Sequence, residues 1–197
     1  MRGWLRRRRV RAVWALCVLL VGAIVVLELG ARAGRGGHPG EEDARLLLAE
    51  PVARLGAIEV LTAGRLHRFE RDAAGAWLYH GSHSGAESAG HEHAVDPAQT
   101  QRIGAAFDAL GRARIEREFP RVPNGPDYGV AAPQVVILLY RPREPQPLAQ
   151  YAVGDVAPDT ASRYVERVGS GRVVTIPTYQ IDNLLALVAS VEPPARP

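Results

Sequence analysis

Residues 96–111 read Asp-Pro-Ala-Gln-Thr-Gln-Arg-Ile-Gly-Ala-Ala-Phe-Asp-Ala-Leu-Gly, and the fold class turns on this stretch. Asp96 can cap a helix, Pro97 suits its first position, and Gln99 stands three residues after the cap, as in a capping box. Ile103, Ala106, Phe107 and Leu110 follow at i, i+3, i+4 and i+7, one apolar stripe of a helix over 97–110, and Gly111 supplies a stop.

On either side of that helix the apolar period drops to two. Before it, Leu55–Leu61 (LGAIEVL), Leu66–Phe69 and Trp77–Tyr79 predict antiparallel strands at 57–62, 65–71 and 76–80, the last two joined by a turn at Asp72-Ala-Ala-Gly75. After it, Arg112–Phe119 alternates charged and apolar residues as a half-exposed strand, and Pro120–Pro133 reads as a loop. Val135–Tyr140 is a continuous apolar, β-branched run and predicts a buried strand. Leu148–Val153, Arg163–Val168 and Arg172–Ile176 continue as a meander, the last two joined by Gly169-Ser170-Gly171. A second helix over 179–191 buries Ile181, Leu184, Leu185 and Val188, with Thr178 placed to cap it. Strands then a helix, twice over, predict an α+β domain, an antiparallel sheet covered on one face by about two helices. The order also hints at an internal duplication.

Upstream of the domain, Val10–Leu29 reads VRAVWALCVLLVGAIVVLEL, with charge only at Arg11 and Glu28. As a helix rising ~1.5 Å per residue these twenty residues span about 30 Å, the thickness of a bilayer's hydrocarbon core. The cluster Arg6–Arg9 with Arg11 stays cytoplasmic by the positive-inside rule. The expected organisation is a cytoplasmic arginine-rich tail (1–9), a single transmembrane anchor (10–29), a tether (30–50) and a periplasmic α+β domain (51–192). A single-pass protein of a bacterial inner membrane is therefore expected. Ala31-Arg32-Ala33 leaves a second reading, a cleaved signal peptide that releases the domain into the periplasm, but the apolar core Ala12–Leu27 is longer than a typical signal sequence carries.

Charge agrees with this division. Residues 1–35 hold eight of the 24 arginines and one of the 21 acids, so the remainder carries 16 against 20 and a charge of about −4. A slightly acidic domain argues against a nucleic-acid partner. Cys17, the only cysteine, lies inside the apolar run, so the domain forms no internal disulfide and folds on its core alone.

Four of six histidines, His80, His83, His91 and His93, fall within HGSHSGAESAGHEH at the start of a segment, 80–95, that reads as a polar loop. Neutral imidazoles with glycine spacers suit Cu, Zn or Ni, so the four are the candidate metal ligands. A solvated loop that merely tolerates histidine has the same composition. His67, within an alternating strand, reads as a surface or rim residue. Asp155 and Asp159, beside Gly154 and Pro158, read as turn formers. There is no G-x-S-x-G elbow, no P-loop and no G-x-G-x-x-G after a strand, so no enzyme is expected and no cofactor beyond such a metal.

One further pattern runs through the second half: Asp127-Tyr128-Gly129-Val130-Ala131-Ala132-Pro133 before a strand, then Val153-Gly154-Asp155, Arg163-Tyr164-Val165 and a closing helix. With the hairpin ending at Trp77 and the strand ending at Phe119, it resembles the domain-of-unknown-function 4340 family of bacterial membrane-anchored proteins over about residues 55–190. Some relatives are encoded with ABC-type export and gliding-associated components, so the resemblance implies an accessory or scaffold role in an envelope complex, with a membrane or periplasmic protein as partner. Read physically, Tyr128, Gly129 and Pro133 form a structural motif. Gly129 permits a turn beside Tyr128, whose ring covers the end of the sheet, and Pro133 ends the loop.

Overall fold

The computed structural model describes residues 45–83, 96–122 and 124–191. The predicted anchor, the tether up to residue 44 and the signal-peptide motif lie outside the described residues. Arg45 opens a compact unit. A 3-10 turn at Val52–Arg54 leads into β1 (Ala57–Thr62), β2 (Arg65–Arg71) and β3 (Trp77–His83), followed by helix α1 (Pro97–Gly111) and β4 (Arg117–Pro120). Then come β5 (Val135–Tyr140), β6 (Ala149–Val156), β7 (Ser162–Arg167), β8 (Arg172–Pro177) and helix α2 (Thr178–Val191).

The eight strands form one antiparallel sheet in the order β3-β2-β1-β5-β6-β7-β8-β4. From β3 to β7 the order is symmetric about the β1–β5 pair, which sets two three-stranded meanders back to back. After α1 the chain crosses to the far edge, where β4 pairs with β8.

Both helices pack on one face, α1 against β3, α2 against β7 and β8, and each against the other. Alternation chooses the strand residues beneath them: Ile58 and Val60 of β1, Phe69 of β2, Ile137 and Leu139 of β5, Val165 of β7 and Ile176 of β8 are all buried there. Phe107 of α1 meets Phe69 edge-on at 5.2 Å and Trp77 at 4.8 Å between ring centroids, geometry that aromatic pairs favour. Asp96 caps α1 by accepting from the Ala98 N–H at 2.9 Å. Asp96→Ala is expected to cost about 1 kcal/mol, read as a drop in the urea midpoint, and an unchanged midpoint would show the cap to be idle.

Several boundaries differ from those read in the sequence. Residues 45–50 belong to the domain and not to the tether, because Leu47 and Leu48 are buried and the Leu47 N–H donates to Ala113 O at 2.8 Å. That pairing with the 45–47 segment also takes residues 113–115 out of the predicted strand, and β4 is left four residues long. β3 runs on to His83, beyond the predicted end at 80, because a bulge opposite Arg68 and Phe69 absorbs one extra residue and pairing resumes. Gly111 is no left-handed stop. It is helical, and a Cβ there would lie 2.7 Å from Val52 Cγ2, so its smallness serves packing. Thr178 does not cap α2 but starts it, its N–H donating to Ala161 O at 2.8 Å.

Candidate functional site

The loop that follows β4 crosses the helix-free face of the sheet and brings together three segments distant in sequence. Asp127 shapes its turn, with Asp127 O accepting from the Val130 N–H at 3.2 Å and Asp127 Oδ1 from the Ala131 N–H at 3.2 Å. Tyr128 (φ +57°) and Gly129 (φ +74°) both take left-handed backbone, and there Tyr128 O accepts from the Asp155 N–H at 2.9 Å. The approach is close enough that a Cβ on Gly129 would fall 2.6 Å from Asp155 Cγ, and one on Gly154 2.1 Å from Tyr128 O. The Tyr128 ring packs on Tyr164 of β7 at 4.7 Å and on Phe119 of β4 at 6.0 Å, so it covers the face of the sheet and not its end. Beneath the loop, Arg121 Nη1 pairs with the buried Glu166 Oε2 at 2.7 Å. Residues 127–133, 153–155 and 163–165 are thus one interlocked unit.

Beside this unit, where the β1–β2 turn meets the start of β5 and the end of β6, lies a cavity of about 830 Å³. Gly129, Pro133, Gly154 and Asp155 line it, together with Arg163 of β7 and Leu185 of α2.

The other half of the helix-free face carries an ionic network. Glu59 sits in the middle of β1, 7% exposed, where Tyr140 Oη donates to its Oε2 at 2.5 Å and Arg68 Nη1 pairs with its Oε1 at 2.7 Å. Arg68 also bonds Glu70 through Nε at 2.6 Å. Burial works to lower the Arg68 pKa, but hydrogen bonds to Glu59 and Glu70 outweigh it and hold the value above its usual range. Burial, then the hydrogen bond to the Glu59 carboxylate, pushes the Tyr140 phenol up to about 12. A cleft of about 900 Å³ opens beside this network, lined by Arg68, Arg71, Arg141 and Arg143 among others. Sequence reasoning passed over the network; its one visible trace was a lone glutamate inside the apolar run LGAIEVL.

Of the four predicted metal ligands, His80 is the bulge residue of β3, with Nδ1 3.7 Å from Glu70 Oε2, and His83 ends the strand opposite Leu66. His91 and His93 lie outside the described residues. Among the described residues no group of three or more His, Cys, Asp or Glu stands close enough to hold a metal ion. His67 is not on the surface. Phe69 sets the phase of β2, His67 shares it two residues earlier, and the ring is 0% exposed under the helices with Nδ1 3.1 Å from Tyr79 Oη.

Of the two expected turn formers, Asp155 lies inside β6, whereas Asp159 forms a turn, its Oδ1 accepting from the N–H groups of Ala161 (3.1 Å) and Ser162 (2.9 Å). The Ser162 N–H bond is the chief reason its pKa is lowered. Ser162 Oγ stands 2.8 Å from Glu116 Oε2 and 3.0 Å from Asp159 Oδ2, partners that orient a hydroxyl, with none of the imidazole geometry of an activated nucleophile. Among the described residues no helix is long and apolar enough to cross a membrane. Comparison with known proteins found no match to a protein-family model, a curated protein or a solved structure.

Proposed function

We propose that the chain is a membrane-anchored periplasmic accessory or scaffold protein, one that binds another protein of an envelope complex and performs no catalysis of its own. The observation that carries this reading is how the motif residues are used. Tyr128, Gly129, Gly154 and Tyr164 hold a loop against a sheet through contacts with one another, and so build a surface in place of a reaction centre. The apolar run at 10–29 behind Arg6–Arg9 supplies the membrane address, and the acidic balance of the rest disfavours nucleic acid. Four large apolar side chains stand out in solvent among the described residues, Val122, Val156, Val168 (55% exposed) and Tyr179 (58%), and the last two are taken as probes. Photo-crosslinking amino acids at these two positions, activated in intact cells, are expected to give discrete adducts heavier than the monomer. Free monomer from both would overturn the scaffold role. Alkaline phosphatase fused after Val191 is expected to be active, and an inactive fusion beside an active cytosolic reporter would overturn the periplasmic placement.

A second reading, a periplasmic metal-binding protein using Cu, Zn or Ni, has one observation in its favour. His80 Nδ1 stands 3.7 Å from Glu70 Oε2, which sets an imidazole and a carboxylate side by side at the edge strand that leads into the histidine-rich segment. Calorimetric titration of the full chain with Cu(II), Zn(II) and Ni(II) is expected to give heats that vanish when His80, His83, His91 and His93 are all alanine. Identical heats from both proteins would end this reading.

A further inference from the structure

We propose that the cavity at Arg163 is a binding site for an aliphatic carboxylate, a ligand specificity that goes beyond the scaffold role and holds wherever the domain resides. Arg163 lies on β7, paired with Val156 and Ile176, and its side chain is half-buried in the cavity wall. Its Nε is buried and has no hydrogen-bond partner among the described residues. A guanidinium stays charged at every accessible pH, so the site holds a fixed cation with a donor left over. That Nε is closed off from the cavity, but no hydrogen bond or ion pair holds the rest of the guanidinium among the described residues, and an unmatched cation in a cavity wall points to something that enters it.

The arginines of the larger cleft are in a different state. Arg68 is matched by Glu59 and Glu70; Arg71 shares a buried, unmatched Nε with Arg163, but its Nη1 donates to Gly75 O at 2.6 Å and its guanidinium lies 4.5 Å over the Trp77 ring; Arg141 stands 3.8 Å from Glu144, and Arg143 is exposed to water. The Arg163 cavity is therefore where an anion gains most.

The lining also fixes the kind of anion. A single arginine faces the space and Asp155 shares it, a balance that accepts one negative charge and repels a dianion such as phosphate. Leu61, Pro133, Val153 and Leu185 supply apolar wall for a hydrocarbon tail, and about 830 Å³ is ample for a small ligand. The carboxylate can belong to a free aliphatic acid or to the C-terminus of a polypeptide ending in an apolar residue. Both present the planar pair of oxygens that a guanidinium fork matches.

The test is calorimetry on the full chain in lipid nanodiscs with hexanoate, hexanamide, and a short Ala-Val-Leu peptide with a free or an amidated C-terminus. Hexanoate or the free-acid peptide is expected to bind at least about tenfold more tightly than its amide. Tighter binding of hexanoate assigns the site to free acids, and tighter binding of the peptide assigns it to a polypeptide terminus. Arg163→Gln should lose about tenfold for the acid and nothing for the amide. Val156→Asp, at an exposed position on the cavity rim (41%) and opposite Arg163 in the register, should weaken the acid by supplying a competing carboxylate while leaving residue 163 an arginine, and Asp155→Asn should tighten it. Equal affinities for acid and amide, absence of heat from all four probes, or wild-type affinity in both Arg163→Gln and Val156→Asp would overturn the proposal.

Discussion

Gly154→Ala is expected to lower the unfolding free energy by about 3 kcal/mol and the melting temperature by roughly 10 °C. The new Cβ would lie 2.1 Å from Tyr128 O and 2.9 Å from Val130 Cγ1, and neither atom is free to yield. Tyr128 O is held by the Asp155 N–H at 2.9 Å from a residue already at φ +57°, and Val130 is buried beneath the loop. Relief therefore requires lifting the 127–131 turn off β6, which breaks that hydrogen bond and opens the Tyr128–Tyr164–Phe119 cluster to water. Gly169→Ala is the matched control. That glycine has φ +83° with nothing within 4 Å of a Cβ, so only backbone strain of about 1 kcal/mol is at stake. Denaturant titration of both variants checks the argument. If Gly154→Ala proves no worse than Gly169→Ala, the interlock is not what holds the loop.

The same loop shows how far the sequence could be read. Apolar periodicity is a local property, and it located the core helices and the strands at 57–62, 65–71 and 135–140 to within a residue or so. Tyr128, Gly129 and Pro133 likewise announced a special turn through residue type alone. Local pattern does not say what lies across the sheet. The contact between Tyr128 and Asp155, and the bond between Glu59 and Tyr140 across 81 positions, depend on strand order and register, which the topology decides. His67 was misplaced because polarity was weighed above phase: Phe69 had already set the buried face of β2, and His67 lies on it. Leu46-Leu47-Leu48 was an apolar cluster too short to show a period, and its docking on 113–115 is a tertiary event. The face of Arg163 is likewise set by register, since the β7–β8 pairing puts it opposite Ile176 on the helix-covered face.

Glu59→Ala is expected to cost about 2 kcal/mol, because removing one member of a buried, hydrogen-bonded ion pair leaves the other charge poorly compensated. The figure sits below the usual cost of breaking a buried pair because the Arg68 side chain keeps 27% exposure and retains Glu70. Glu70→Ala, at a more exposed carboxylate, should cost less than about 1 kcal/mol. Combining Glu59→Ala with Arg68→Met should cost clearly less than the two single changes together, since no unmatched guanidinium then remains; strict additivity would show that the pair is not coupled. The network also has a signature at high pH. The folded Tyr140 phenol stays protonated to about 12, whereas in the unfolded chain it ionises near 10. Between those values the unfolded state binds fewer protons, so this contribution is fully present below pH ~10 and is lost as pH rises toward 12. Ultraviolet titration should therefore show Tyr140 among the late-ionising tyrosines, together with Tyr151, whose phenol burial also raises. In Glu59→Gln one of these should move back toward the ordinary range while Tyr151 stays, since burial persists but the carboxylate is gone. Superimposable titration curves for wild type and Glu59→Gln would mean that Glu59 does not accept the Tyr140 hydrogen bond.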